Sequence, residues 1–133
     1  MFIYNLFMNA YIALYRLTRG RFGGKNIVLL TTKGKKSGQP RTKPVFHLKD
    51  GSSYFVFASA GGSDKNPAWY ANLTANPKVT VEDHGNTISG NASTVTGPER
   101  ARIWQLLIAK APNFGQYEKR TVRVIPVVRI DLA

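Results

Sequence analysis

Between Leu29 and Val45 the chain carries Lys33, Lys35, Lys36, Arg41 and Lys43, with Ser37 among them and no acid to answer them. Gly34 and Gly38 punctuate the run and relax the backbone, so amide N–H groups can turn towards one point. Amides converging beside ammonium groups and a guanidinium make a cradle for an anion, and the number of cations points to a polyanion. Two further groups carry chemistry. Ala58-Ser59-Ala60-Gly61-Gly62 offers small residues at a strand end, where a flat ring can approach backbone amides. Trp69 and Asn72 lie one helical turn apart, an indole for stacking and an amide for hydrogen bonding. Taken alone, a tryptophan at such a position is a core residue and an asparagine faces solvent. Taken together with the cationic loop, the three groups suit a flavin-like cofactor with an anionic tail.

The composition removes most alternatives. The chain of 133 residues has no cysteine and only two histidines, His47 and His84, so thiolate nucleophiles, iron–sulfur clusters and His/Cys metal centres are excluded. There is no Gly-x-Ser-x-Gly elbow and no phosphate-binding Gly-x-x-x-x-Gly-Lys-Ser/Thr loop. Ser37, His47 and Asp50 have nothing to align them as a triad, and seven scattered carboxylates offer no acid–base pair. No catalytic side chain and no metal ligand is expected; a cofactor must bring the chemistry. The net charge of +12 is concentrated early: ten Lys/Arg precede Asp50, the first acid, and the remainder holds nine bases against seven acids. Such a field gathers anions of any kind.

One domain over 1–133 is expected, with an N-terminal amphipathic helix in 1–20 and a barrel in 26–133. Met1 to Leu17 reads as a helix, with Ile3, Phe7, Tyr11 and Leu14 on one stripe and Leu6, Ala10 and Leu17 beside it. The run is too short and too rich in asparagine to span a bilayer, and it lacks the marks of a secretory signal. Packing of the stripe on the domain's own core is the expected arrangement. The other reading lays residues 1–21 in a membrane interface, with Arg16, Arg19 and Arg21 on anionic headgroups. Absence of cysteine permits a reducing, cytoplasmic location.

Strands are expected over Asn26–Thr32, Thr42–Leu48, Tyr54–Ser59, Lys78–Glu82, Thr87–Val95 and Val122–Leu132, the last demoted by Pro126 to an edge or a bulge. Ala60 to Lys65 reads as a flexible loop. Asn66 is expected to cap a short helix carrying Trp69, and Thr96 with Glu99 to form a capping box for another. That helix would bury Trp104, Leu107, Ile108 and Ala111, with a linker or short helix following over Phe114–Arg120. The tally is an α+β chain, with about six mostly antiparallel strands closing a barrel and three or four helices around it.

Four motifs in order, Leu29 to Arg41, Gly61 to Leu73, Ala75-Asn76-Pro77-Lys78-Val79 and Val124-Ile125-Pro126-Val127-Val128, resemble the deazaflavin-dependent nitroreductase and quinone reductase family. The resemblance implies a split β-barrel and coenzyme F420, an 8-hydroxy-5-deazaflavin whose tail bears a phosphate and glutamates. It implies the tail on Lys35, Lys36, Ser37 and Arg41. It implies the ring along Pro44, Val45 and Phe46, over Ala58, Ser59, Ala60 and Gly61, and beside Ala68, Trp69 and Asn72. Hydride would pass to a small-molecule acceptor, a quinone, nitroaromatic or activated enone, near Phe114 and Tyr117. Relatives keep a lysine where this chain has Ala60, and their tyrosine-rich acceptor wall is thinned here to Ala111, Phe114 and Tyr117. FMN is the same-class alternative cofactor. A basic nucleic-acid-binding barrel, motivated by the charge and by strand aromatics, is the rival of another class; no nucleic acid is expected, because the cations cluster at one loop and one helix end.

Overall fold

The computed structural model describes residues 2–133; Met1, where the expected helix begins, lies outside the described residues. Helix α1 runs Phe2–Leu17, then strands β1 (Ile27–Lys33), β2 (Pro40–Asp50) and β3 (Ser53–Phe57) follow. A 3-10 turn at Ala60–Gly62 leads to α2 (Ala68–Ala75), β4 (Lys78–Asp83) and β5 (Asn86–Val95). Helices α3 (Gly97–Lys110) and α4 (Asn113–Lys119) precede the final strand β6 (Val127–Leu132). The strands close an antiparallel barrel in the order β1-β2-β3-β6-β5-β4.

The alternation of each strand sorts its side chains between two cores. Tyr54, Val56 and Ala58 point into the barrel with Val28, Leu30, Val79, Val81, Val128 and Ile130, and α2 contributes Trp69 and Leu73 to the same cluster. Phe55 and Phe57 point outwards, where Ile103, Trp104, Leu107 and Phe114 of α3 and α4 cover them. Tyr54, Phe55 and Phe57 are therefore sealed at 5% exposure or less and Phe46 is half-buried, which leaves no row of strand aromatics of the kind a nucleic-acid reader stacks on.

Several local expectations yield to longer-range bonds. Asn66 does not cap α2; Pro67 stands at that position, and Asn66 Oδ1 accepts from Arg123 Nη1 at 2.8 Å. The Thr96 side chain makes no cap bond, and Glu99 turns instead to Arg129 Nη1 at 2.7 and 2.8 Å. The last strand begins only at Val127; Val122 and Val124 are exposed on an irregular segment. Pro126 does not make β6 an edge, since β6 pairs with both β3 and β5.

The largest departure is the rotation of α1. Tyr15 is fully buried, its hydroxyl donating to Ile27 O at 2.8 Å and Glu82 O at 3.2 Å and accepting from His84 N at 3.2 Å. Arg16 forks onto both Glu82 carboxylate oxygens at 2.9 Å. These anchors turn Met8, Tyr11, Ile12 and Tyr15 inwards, and Ile3, Leu6, Phe7, Leu14 and Leu17 outwards, Leu17 at 80% exposure. Of the expected stripe only Tyr11 turns inwards; Ile3, Phe7 and Leu14 do not pack on the domain's own core.

Candidate functional site

Gly34 opens the basic loop because nothing larger fits: a Cβ there would sit 2.5 Å from Ser37 Oγ and 3.1 Å from Gln39 O. Gly38 is needed for its backbone, φ +72°. The loop closes on itself through Gly34 N–H to Gln39 O at 2.8 Å and Gly38 N–H to Gly34 O at 2.9 Å. Ser37 Oγ accepts from Gln39 N–H at 3.2 Å and Arg41 Nη2 at 3.3 Å. From the next layer, Asn72 Oδ1 accepts the Lys35 N–H at 2.9 Å while its Nδ2 donates to Thr32 Oγ1 at 3.1 Å. Asn72 is buried, not solvent-facing, and its amide holds the loop onto β1 and α2.

The amide nest expected from the glycines is thus smaller than the sequence implies. The N–H groups of Gly34, Lys35, Gly38 and Gln39 all have protein acceptors, which leaves the side-chain cations as the main attraction for an anion. Lys35, Lys36 and Arg41 are exposed and Lys43 half-buried, and among the described residues none of them meets a carboxylate. They converge on a cavity of about 360 Å³ lined by Gly34, Lys35, Lys36, Ser37, Arg41, Lys43, Ala68, Trp69, Ala71 and Asn72. One wall is therefore cationic and the facing wall is an indole with two alanines. Arg41 and Lys43 also border a neighbouring groove of about 520 Å³ beneath α1, which Asn5, Asn9 and Arg16 line from the helix.

Seven of the residues expected at a cofactor, Lys35, Lys36, Ser37, Arg41, Ala68, Trp69 and Asn72, are brought together in this cavity. The others form a second group. Ala58 is fully buried and Val45 nearly so, both in the barrel interior, so these two side chains support a surface and do not form it. Pro44 and Phe46 are half-buried, Ser59 is 8% exposed, and Ala60 and Gly61 are open. Phe114 is packed between Phe46 and Phe57 with centroids at 5.4 and 5.8 Å, and Ala111 is buried in the same cluster. Only Tyr117 of the expected acceptor wall reaches the surface in part, edge-on to Phe114.

Arg123 escaped the sequence reading altogether. Its guanidinium donates to Ser63 O at 2.8 Å, Ser59 O at 2.9 Å, Ala58 O at 3.1 Å and Asn66 Oδ1 at 2.8 Å. The loop after β3, expected to be flexible, is gathered around this one side chain. Only its place just before the Val124 to Val128 motif could have singled it out. His47 behaves as the strand histidine it was expected to be: Nδ1 lies 2.9 Å from Asn26 O, and burial pushes its pKa down. Asp50 pairs with Arg102 and Ser37 with Arg41, so no triad exists.

At the opposite side of the barrel the titratable groups are all engaged. His84 Nδ1 lies 2.6 Å from Asp83 Oδ1 and Nε2 lies 2.9 Å from Gly24 O. The carboxylate, with the carbonyl's help, holds the imidazole pKa above its ordinary value. Burial would raise Asp83, but hydrogen bonds from Tyr54 and His84 outweigh it and hold the carboxyl below its usual range. Tyr54 is pushed up in turn, chiefly by burial and then by Asp83.

A family model described as F420H(2)-dependent quinone reductase matches residues 7–131. The chain is 39% identical to an F420H(2)-dependent quinone reductase of Mycobacterium tuberculosis (strain H37Rv), over 87% of this chain and 83% of that protein. A solved F420-H2 dependent reductase shares its fold with a TM-score of 0.75 at 37% identity, covering 80% of this chain and 95% of the other. A structure described as a domain-swapped dimer aligns with a TM-score of 0.77 at 30% identity, over 96% of this chain and 98% of its own length.

Proposed function

The chain belongs to the F420H(2)-dependent quinone reductase family, and from that premise we propose that it transfers a hydride from reduced coenzyme F420 to a quinone-type acceptor. The observation that carries the reading is the cavity where Lys35, Lys36 and Arg41 face Trp69 with no carboxylate between them. A phosphorylated, glutamylated tail needs several cations that are not already paired, and this wall supplies them. FMN, the alternative cofactor, gives way to the deazaflavin on the family assignment.

When bound, the deazaflavin supplies the hydride, and the chain's own residues do the rest. Lys35, Lys36, Ser37 and Arg41 would hold the tail, with Lys43 at the rim. Ser59, Ala60 and Gly61 would meet the ring through backbone, and Pro44 and Phe46 through their exposed edges. Ala58 and Val45 form the floor beneath. Trp69 and the alanines of α2 would give the bound group an apolar wall facing those cations. No side chain here needs to give or take a proton, in keeping with the absence of an acid–base pair.

Titration of the purified protein with F420 and with FMN, followed by a screen of quinones, nitroaromatics and enones, tests this reading. Tight deazaflavin binding with fastest turnover on quinones is expected. Binding of FMN alone would overturn it. With Ala60 in place of the relatives' lysine and Phe114 buried, few donors remain to stabilise charge on a nitro group, so nitroimidazoles should turn over slowest.

The outward stripe of α1 favours a second, compatible reading: attachment to the inner face of a membrane, where apolar quinones reside. Ile3, Leu6, Phe7, Leu14 and Leu17 are exposed beside Arg16, Arg19 and Arg21, the pattern of an interfacial helix. Among the described residues no helix is long and apolar enough to cross a bilayer. Leu17→Glu should abolish pelleting with anionic vesicles and leave F420 binding unchanged; pelleting that persists would remove this reading.

A further inference from the structure

Arg123 sits outside the groups of residues assigned to the cofactor, yet its half-buried guanidinium is engaged chiefly by main-chain carbonyls. Three carbonyls, those of Ala58, Ser59 and Ser63, turn towards its guanidinium at 3.1, 2.9 and 2.8 Å. In a trans peptide the C=O of one residue and the N–H of the next point in opposite directions. Each carbonyl drawn to Arg123 therefore turns the following amide away from it. The two amides so turned at the strand end are those of Ser59 and Ala60. Neither donates to a protein acceptor among the described residues, whereas the neighbouring Ala58, Gly62 and Ser63 amides all do. Ser59 is 8% exposed. Ala60 is exposed, so the two unpartnered donors stand at the boundary between a closed strand end and solvent, open to an incoming acceptor.

The backbone that follows is held in a conformation it would not choose. Ala60, Gly61 and Gly62 have φ of +46°, +64° and +85° in succession, and alanine resists that region. The turn is fastened from the far side as well: Arg120 Nη1 donates to Gly61 O at 3.3 Å, and a Cβ on Gly62 would meet Tyr117 O at 2.9 Å. Such strain persists only where the surroundings over-determine it.

We propose that Arg123 is a positioning residue that fixes the Ser59 and Ala60 N–H groups as a paired donor for a carbonyl or oxyanion oxygen on the edge of the bound ring. The inference rests on the ring site of the proposed function and deepens it: the donors are main-chain amides, and the side chain that aims them lies 60 residues or more along the chain. Because Arg120 and Tyr117 fasten the same turn, the donors are also tied to the element expected to meet the acceptor.

Two probes separate ring from tail: intact F420, and 8-hydroxy-5-deazariboflavin, which has the ring without phosphate or glutamates. Arg123→Lys keeps the charge and the stem but loses the planar fork. It should weaken binding of both probes by the same factor, about tenfold or more, the scale expected for loss of aimed hydrogen bonds. Lys36→Ala should weaken only the intact cofactor. In the free protein, Arg123→Lys should speed amide exchange of Gly62 and Ser63 and leave β1 and β4 unchanged. In the wild type, the ring fragment should slow exchange of Ser59 and Ala60, a measurement that needs no variant to fold. Wild-type protein that binds the ring fragment without protecting those two amides overturns the inference alone. Affinities for both probes that stay at the wild-type values in folded Arg123→Lys overturn it too, as does loss of binding that merely tracks lowered stability. Wild-type protein that binds neither probe overturns the proposed function and this inference with it.

Discussion

The loop after β1 and the turn between β4 and β5 both crowd charged side chains into a few residues, and they treat them in opposite ways. At the β4–β5 turn, Glu82 is forked by Arg16, Asp83 bridges His84 and Tyr54, and His84 reaches on to Gly24. Charge and hydrogen-bonding capacity are consumed inside the protein, and the result is a clasp that fixes α1. In the loop after β1, neutral groups do the internal bonding: Ser37, Asn72, Thr32 and main-chain amides. The cations are left without carboxylate partners, Arg41 alone giving one N–H to Ser37 Oγ. A folded chain that sets its loop with uncharged groups keeps its charges available, and that division marks which region holds structure and which awaits a ligand.

Breaking the loop's side of this contrast should give the largest effect. Arg41→Ala removes a cation and the Ser37 bond together, and deazaflavin affinity should fall by ten- to a hundredfold, about 1.5–3 kcal/mol. Unfolding temperature should barely move, since Arg41 is exposed; isothermal titration and thermal melts report the two. Asn72→Ala joins the two behaviours. It frees the Lys35 amide and the Thr32 hydroxyl in a nearly closed site, so stability should drop by about 1–3 kcal/mol and affinity should fall with it, both measurable on one sample.

On the clasp's side, Tyr15→Phe should cost about 1–2 kcal/mol of stability, because two carbonyls and the His84 amide lose their shared hydroxyl. Cofactor affinity should not change. The pH dependence follows from His84. Its folded pKa lies above the ordinary value of 6.5, so its contribution is fully present below that value and is lost as pH rises through the folded pKa. Asp83 is depressed, so its share is present above its unfolded pKa and lost as pH falls. Protection of the α1 amides relative to their intrinsic exchange rate should thus be greatest in mildly acidic solution and fall towards alkaline pH, and His84→Gln should flatten that fall. Arg16→Ala should be smallest, under about 1 kcal/mol for a half-exposed pair, and should vanish in high salt, as the cofactor's affinity should also diminish.

Much of this molecule follows from neighbours in sequence. Alternation puts Tyr54, Val56 and Ala58 on one face of a strand, the face the barrel buries, and the Gly-punctuated lysines of residues 33–41 are visible as an anion site without any fold. What local pattern could not supply were bonds spanning the chain. The apolar stripe of α1 predicts its inward face only if burial alone sets the rotation, whereas Tyr15 and Arg16 set it through residues some 67 positions away. Thr96 and Glu99 have capping-box spacing, but Arg129 offers Glu99 a charged partner and takes it. Asn72 looked free for a ligand because Lys35, 37 residues upstream, could not be known to need it. Arg123 is the plainest case, a lone cation in a segment of no pattern whose partners are carbonyls, and carbonyls leave no mark in a sequence.

The closure of the barrel by β6 has a consequence for how the chain is made. Until residues 127–132 are in hand, β3 and β5 stand as two bare sheet edges with no partner between them. During synthesis the five strands made first therefore wait on β6, and pairings of such long sequence separation are slow to form. Bare edges in that interval are templates for other nascent chains. Integrity of residues 127–132 consequently decides whether the sheet closes, and a chain cut just short of Val127 should yield aggregate in place of a smaller folded domain.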